Sequence, residues 1–153
     1  MLLSVVSILV PIVLLLALGA WLRRIGADPT EVKRMFQTDM ESTVDKFKIL
    51  QSVELYRAVA IAAPEEVQGR VVAAQAADEL LNISGVEASV VLAPDGKGNV
   101  FASARSIGEM NVQILMEKLG GGGNRSAAAV QFTDCDSKQA MERIKAAIDE
   151  YLK

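Results

Sequence analysis

Histidine is absent from this sequence of 153 residues, and cysteine occurs once, as Cys135. A Ser-His-Asp triad, a Cys-His dyad and a Cys/His zinc site are therefore beyond what the chain can build. An internal disulfide is excluded as well. Cys135 stands between Asp134 and Asp136, whose carboxylates disfavour a thiolate, so it reads as an incidental thiol. A cationic excess is also missing. The 16 basic side chains face 19 acidic ones, which argues against the broad positive surface that a long DNA duplex requires. Clustered carboxylates are equally scarce: Glu65-Glu66, Asp78-Glu79 and Asp149-Glu150 are adjacent pairs that project in different directions and read as solvated faces without a catalytic role. The last absence is regional, for the first 22 residues carry no charge.

That uncharged segment, MLLSVVSILVPIVLLLALGAWL, would cover a hydrocarbon core of about 30 Å as a helix rising about 1.5 Å per residue. The expectation is a single transmembrane helix over residues 1–22, kinked at Pro11, with Trp21 at the interface. Arg23 and Arg24 follow at once, which places the C-terminal domain in the cytoplasm and the chain in the cell membrane. The competing reading is a signal peptide cleaved near Ala17, Gly19 or Ala20. It lacks a basic n-region, and the Arg pair lies on the wrong side.

Residues 23–52 read as a connecting helix. Asp28 can be its N-cap, Pro29 its first residue and Glu31 a capping acid. Val32, Met35, Phe36, Met40, Val44, Phe47 and Leu50 then form one apolar stripe to about Gln51. Residues 53–153 read as one α/β domain, a mixed sheet with a hairpin covered by helices. Its elements begin with a continuous buried strand over 55–63 and, after Pro64, a helix over 67–81 stopped by Asn82 to Gly85. Strands at 86–93 and 100–106 form a hairpin through the Gly-containing loop 94–99. A short helix at 111–119, a strand at 127–132 and an amphipathic helix at 137–152 complete the domain.

Gly120 to Gly123 follow the short helix and precede the small residues Ser126 to Ala129. Backbone N–H groups there can approach an anion unobstructed, and a flexible loop fits the same pattern. The spacing is neither that of a dinucleotide fingerprint nor that of a P-loop. Ser103-Ala104-Arg105-Ser106, at the end of the preceding strand, adds a guanidinium whose planar fork suits phosphate oxygens. Arg125 can contribute charge or remain solvated, and Asn111 and Gln113 are a candidate cap and a candidate solvent residue at the start of the short helix.

The stretch from Ala102 to Ala129, with ASARS, NVQILMEKLGGGGN and the alanine run, resembles the DHHA1 domain of DHH-family phosphoesterases, above all the membrane-bound cyclic-di-AMP phosphodiesterases. The likeness extends from Ala20 to Lys153, through WLRRIGADPTEVKRMFQ and Val72 to Asp78. It implies binding of a cyclic dinucleotide, its linear product or a short oligoribonucleotide. Ser103 and Arg105 match the family's strand motif, and Gly121, Gly122 and Gly123 match its glycine turn. Asn124 stands where the family commonly has His; it retains hydrogen bonding without the proton or charge His could carry.

In such proteins a DHH domain carries the manganese ligands. The resemblance therefore implies that this chain binds no cofactor itself, that manganese belongs to the missing DHH half, and that a DHH domain in another chain is a possible partner. Because the likeness stops abruptly near Ala20, a truncated or frame-shifted gene product is also expected. The alternative function is a membrane-tethered module, attached through residues 1–22, that senses a nucleotide or docks on a partner through Val32, Phe36, Phe47 and Leu50.

Overall fold

The computed structural model describes residues 2–24, 26, 28–35, 37, 40–66 and 68–153. Two compact units result, Met1–Asp39 and Met40–Lys153. In the first, α1 spans Leu2–Arg24 and contains Pro11, and the large apolar side chains from Leu9 to Leu18, with Trp21, are exposed. Among the described residues no helix is long and apolar enough to cross a membrane, so the spanning part of the expectation is not established. Helix α2, Pro29–Met35, begins as its sequence requires, with Asp28 Oδ1 accepting from the Thr30 N–H at 2.8 Å.

The single helix expected to run on to Gln51 is instead two. At Gln37 the chain is not helical, its N–H turning back to the Arg34 carbonyl at 3.1 Å, and α3 starts afresh at Met40 and ends at Gln51. Much of the apolar stripe also faces away from the core: Met40, Val44 and Phe47 are exposed, whereas Leu50 packs partly buried against the cluster in which Ile49, outside the stripe, is fully buried. Phe36 lies outside the described residues. Ile49 packs among the alanines of α4 and the sheet, and that neighbour, which no helical periodicity reveals, decides which side of α3 is buried.

The second unit is an α/β fold around a six-stranded mixed sheet in the order β1-β2-β3-β4-β6-β5. The strand expected over 55–63 is a hairpin of β1 (Val53–Tyr56) and β2 (Val59–Ala62). It turns at Arg57-Ala58, where Arg57 takes a φ of 57°. Arg57 is held in that left-handed conformation by Asp149, whose Oδ1 accepts from its Nε at 2.8 Å while Oδ2 accepts from the Tyr56 hydroxyl at 2.8 Å.

Helix α4 (Arg70–Leu80) carries the chain across to β3 (Ala88–Pro94), parallel to β2. The hairpin of β3 with β4 (Val100–Ser106) forms as read, Ala88 facing Ser106 and Pro94 facing Val100. Helix α5 (Val112–Lys118), a two-residue strand β5 (Gly122–Gly123), β6 (Ala127–Phe132) and α6 (Ser137–Tyr151) follow.

Strand alternation divides the core. Val59, Ile61, Val90, Leu92, Ala102, Ala104, Val130 and Phe132 point to the side where α5 and α6 pack with Leu115, Met116, Ile144 and Ile148. Ala60, Ala62, Val91, Ala93 and Phe101 point to the other side, beneath Ala73, Ala76, Ala77 and Leu80 of α4. Small residues on both partners let α4 lie close, and the Ser89 hydroxyl donates to the Ala77 carbonyl at 2.6 Å. Helix cover on this side ends at β4. On β6, Ala128, Val130 and Phe132 are buried under α5 and α6, whereas Ala129 and Gln131, facing the α4 side, are exposed.

Candidate functional site

The uncovered half of the sheet is where the candidate residues meet. On β4, Ser103 pairs with Ala129 of β6, which pairs with Gly122 of β5. Arg105 pairs with Ala127, and the Asn124 N–H donates to the Ala127 carbonyl at 2.8 Å. Ser103-Ala129-Gly122 and Arg105-Ala127-Asn124 are thus successive rungs on the same face of the ladder, one rung between them facing the other way, about 6.6 Å apart along β4. The alanines between them keep the floor shallow.

The glycine run divides by function. Gly120 has a φ of 88° and closes α5, its N–H bonding to the Glu117 carbonyl at 3.0 Å; the Gly121 N–H reaches the Met116 carbonyl at 2.8 Å. A Cβ on Gly121 would run into the Ala129 carbonyl oxygen, and one on Gly123 into the Ala127 carbonyl oxygen and Ala128 Cα. These two glycines let β5 approach its own neighbour. Gly122 alone of the three has open space where a Cβ would stand, on the uncovered side with Ala129. The loop expected here is therefore a strand, and of the expected cradle the Gly121 N–H is already committed within the fold.

Asn124 is similarly committed in part. Its Oδ1 accepts from the Ser126 N–H at 3.0 Å, the Ser126 hydroxyl at 3.1 Å and the Ala127 N–H at 2.9 Å. Its Nδ2 has no hydrogen-bond partner among the described residues. Asn111 is the N-cap of α5, accepting from the Gln113 N–H at 3.0 Å, and Gln113 Nε2 donates to Glu117 Oε1 at 2.7 Å. Neither belongs to the uncovered face. Arg125 is exposed and reaches only the Glu109 carbonyl, at 3.5 Å.

Arg105 is held from two sides. Its Nε lies 2.9 Å from Asp78 Oδ1 on α4, and its Nη1 donates to the Ala104 carbonyl at 3.0 Å. Of its five donors, the remainder can meet a ligand. Sequence reasoning missed two neighbours, Arg70 and Gln131. Arg70 Nη2 donates to Gln131 Oε1 at 2.9 Å, and with Ser103 and Gly121 these residues line a cavity of about 290 Å³. No local pattern flags a surface Arg at a helix start, because it joins the site only through the crossover from β2 to β3. A larger cavity of about 550 Å³ lies between Pro64 and α6, lined by Lys138, Met141 and Lys145, and none of the candidate residues borders it.

No three Asp, Glu or Cys side chains among the described residues gather as a metal set. The uncovered face offers guanidinium, hydroxyl and amide donors, which suit phosphate oxygens and do not fit a manganese ion.

Residues 55–153 match the family model for the DHHA1 domain. The chain is 43% identical over 138 residues to the cyclic-di-AMP phosphodiesterase GdpP of Bacillus subtilis, covering 87% of this chain and 21% of that protein. It is 39% identical over 138 residues to the cyclic-di-AMP phosphodiesterase PdeA of Listeria monocytogenes, covering 88% and 21% respectively. The chain therefore spans about a fifth of the length of these relatives. Among solved structures, an exopolyphosphatase-related protein from Bacteroides fragilis superposes with a TM-score of 0.75 at 17% identity, covering 90% of this chain and 43% of that one. That likeness bears on the fold.

Proposed function

The chain belongs to the DHHA1 domain family, and from that premise we propose that its uncovered sheet face binds the phosphate of a cyclic dinucleotide, of its linear product or of a short oligoribonucleotide. The observation that carries the reading is the pair of successive same-face rungs. They set the Ser103 hydroxyl, the Arg105 guanidinium, the open Cα of Gly122 and the Asn124 amide on one side of three strands. Arg105 supplies the charge, oriented by Asp78; Ser103 and Asn124 supply neutral donors; Gly122 lets the ligand approach the backbone.

The role is recognition. Metal-bound hydroxide for hydrolysis would come from a DHH domain, in this polypeptide's natural context or in another chain. Calorimetry of the full chain with cyclic-di-AMP, with and without Mn²⁺, tests this. Binding without turnover, weakened by Arg105→Ala, is expected. Turnover by the chain itself contradicts the recognition-only role, and undetectable binding of every adenine dinucleotide removes the reading.

Membrane attachment through α1 is a second proposal, supported by the exposed apolar side chains from Leu9 to Leu18 and by Trp21. Recovery of the full chain in the soluble fraction after carbonate-free lysis contradicts it.

A further inference from the structure

The cavity of about 290 Å³ beside the two rungs contains a polar group that the fold leaves unused. Ser103 is only 7% exposed, yet its hydroxyl has no hydrogen-bond partner among the described residues. The Oγ atom itself is open to the cavity, since among the described residues only Gln68 Oε1 is a sealed side-chain atom without a partner, so a ligand oxygen or a water can complete it. Facing the same cavity is Arg70, the first residue of α4, a helix whose N-cap Gly69 provides no side-chain cap. Its guanidinium lies 5.6 Å from the centre of the Phe101 ring and donates once, to Gln131. Phe101 and Gln131 form the rung beyond Ser103. Arg70 and Arg105 therefore stand at opposite ends of one strand face, about 13 Å of strand apart, with Ser103 between them.

We propose that Arg70 and Gln131, with the Ser103 hydroxyl shared between the two positions, form a second anion subsite, which takes the terminal phosphomonoester of a linear dinucleotide whose internal phosphodiester lies at Arg105. A ligand with one phosphate reaches one guanidinium; two phosphates are needed to occupy both. The cavity lies just below the common ligand-pocket range of roughly 300–1,000 Å³, so it suits a phosphate at a chain end better than a continuing strand. A planar fork, a hydroxyl and a helix start without a side-chain cap together match a dianion with three acceptor oxygens. The inference rests on the nucleotide-binding reading and adds to it a preference for the linear, 5′-phosphorylated ligand.

The test compares the 5′-phosphorylated adenylyl dinucleotide with the same dinucleotide lacking that phosphate, by calorimetry on the full chain. The intact chain should bind the phosphorylated form about tenfold more tightly or better. Arg70→Ala should abolish the preference by weakening the phosphorylated form down to the affinity of the unphosphorylated one, and Arg70→Lys should keep part of it. Equal affinities in the intact chain, or equal weakening of both ligands by Arg70→Ala, overturn the subsite.

Titration with inorganic phosphate provides a readout independent of nucleotides. Nitrogen-15 shifts at the Arg70 side chain and the Gly121 and Ala129 amides, lost in Arg70→Ala, support the subsite, and shifts confined to other residues overturn it. If neither dinucleotide binds while phosphate still moves these signals, the nucleotide reading falls and the anion subsite stands.

Discussion

Arg105 on β4 and Asp78 on α4 form an ion pair with Nε 2.9 Å from Oδ1, the Arg side chain 22% exposed and the Asp side chain 59% exposed. The carboxylate takes the Nε edge of the guanidinium, Nη1 donates to the Ala104 carbonyl, and the remaining N–H donors are left for a ligand. As a partly exposed pair it contributes about 0–1 kcal/mol to stability, so its larger effect is on orientation. Asp78→Ala is expected to lower nucleotide affinity several-fold with little change in Tm. Arg105→Ala should cost about tenfold or more. In a double-mutant cycle read by calorimetry, Asp78→Ala should add nothing once Arg105 is gone.

Gly121 and Gly122 are neighbours with opposite expected phenotypes. Gly121→Ala forces a Cβ against the Ala129 carbonyl and Val130, a backbone contact that cannot swing away, and should destabilise by roughly 1–3 kcal/mol or more. Gly122→Ala meets open space and should leave the denaturation midpoint nearly unchanged while weakening ligand binding, because the methyl stands on the uncovered face. Urea melts beside calorimetry separate the two outcomes.

Asn124 combines a turn and a candidate contact, and substitution can part them. Asn124→Asp keeps the oxygen that accepts from Ser126 and Ala127, so the turn should persist. The carboxylate repels a phosphate and removes the Nδ2 donor. Affinity should therefore fall several-fold, more at low salt than at high salt, with the Tm preserved. An unchanged affinity would assign Asn124 to the turn alone.

Acidification should destabilise the second unit through α6. Hydrogen bonds from Tyr56 and then Arg57 hold the Asp149 carboxyl below its ordinary 3.8, and Lys118 holds Glu150 below its ordinary 4.5. With folded-state values depressed, their contribution is complete above the ordinary values and is lost as pH falls through the folded ones. Stability measured by urea denaturation should decline below about pH 4, and Asp149→Asn should flatten that decline.

Much of this molecule was legible in local chemistry. The hairpin loop from Pro94 to Asn99 needed its glycines and its Asp, Asn111 was a cap waiting for a short helix, and the strand at Ala127 to Phe132 followed from its flanks. The β1-β2 turn was hidden because Arg57 adopts a positive φ that no turn residue announces and that Asp149, 92 positions away, holds in place. The α3 stripe misled because helical periodicity identifies an apolar face without saying whether anything covers it; α4 and the sheet instead took Ile49.

For the site, the sequence by itself determined the residue types, a guanidinium, a hydroxyl and small residues able to approach a phosphate, and it excluded His and Cys chemistry outright. Only the tertiary structure decided their partition. Strand pairing put Gly122 and Asn124 on the rungs of Ser103 and Arg105, turned Gly121 and Gly123 toward their own neighbours, and brought in Arg70 and Asp78 from α4. The physical reason is that strand register and a crossover helix join residues distant in sequence, and neither leaves a mark in the spacing of the residues it joins.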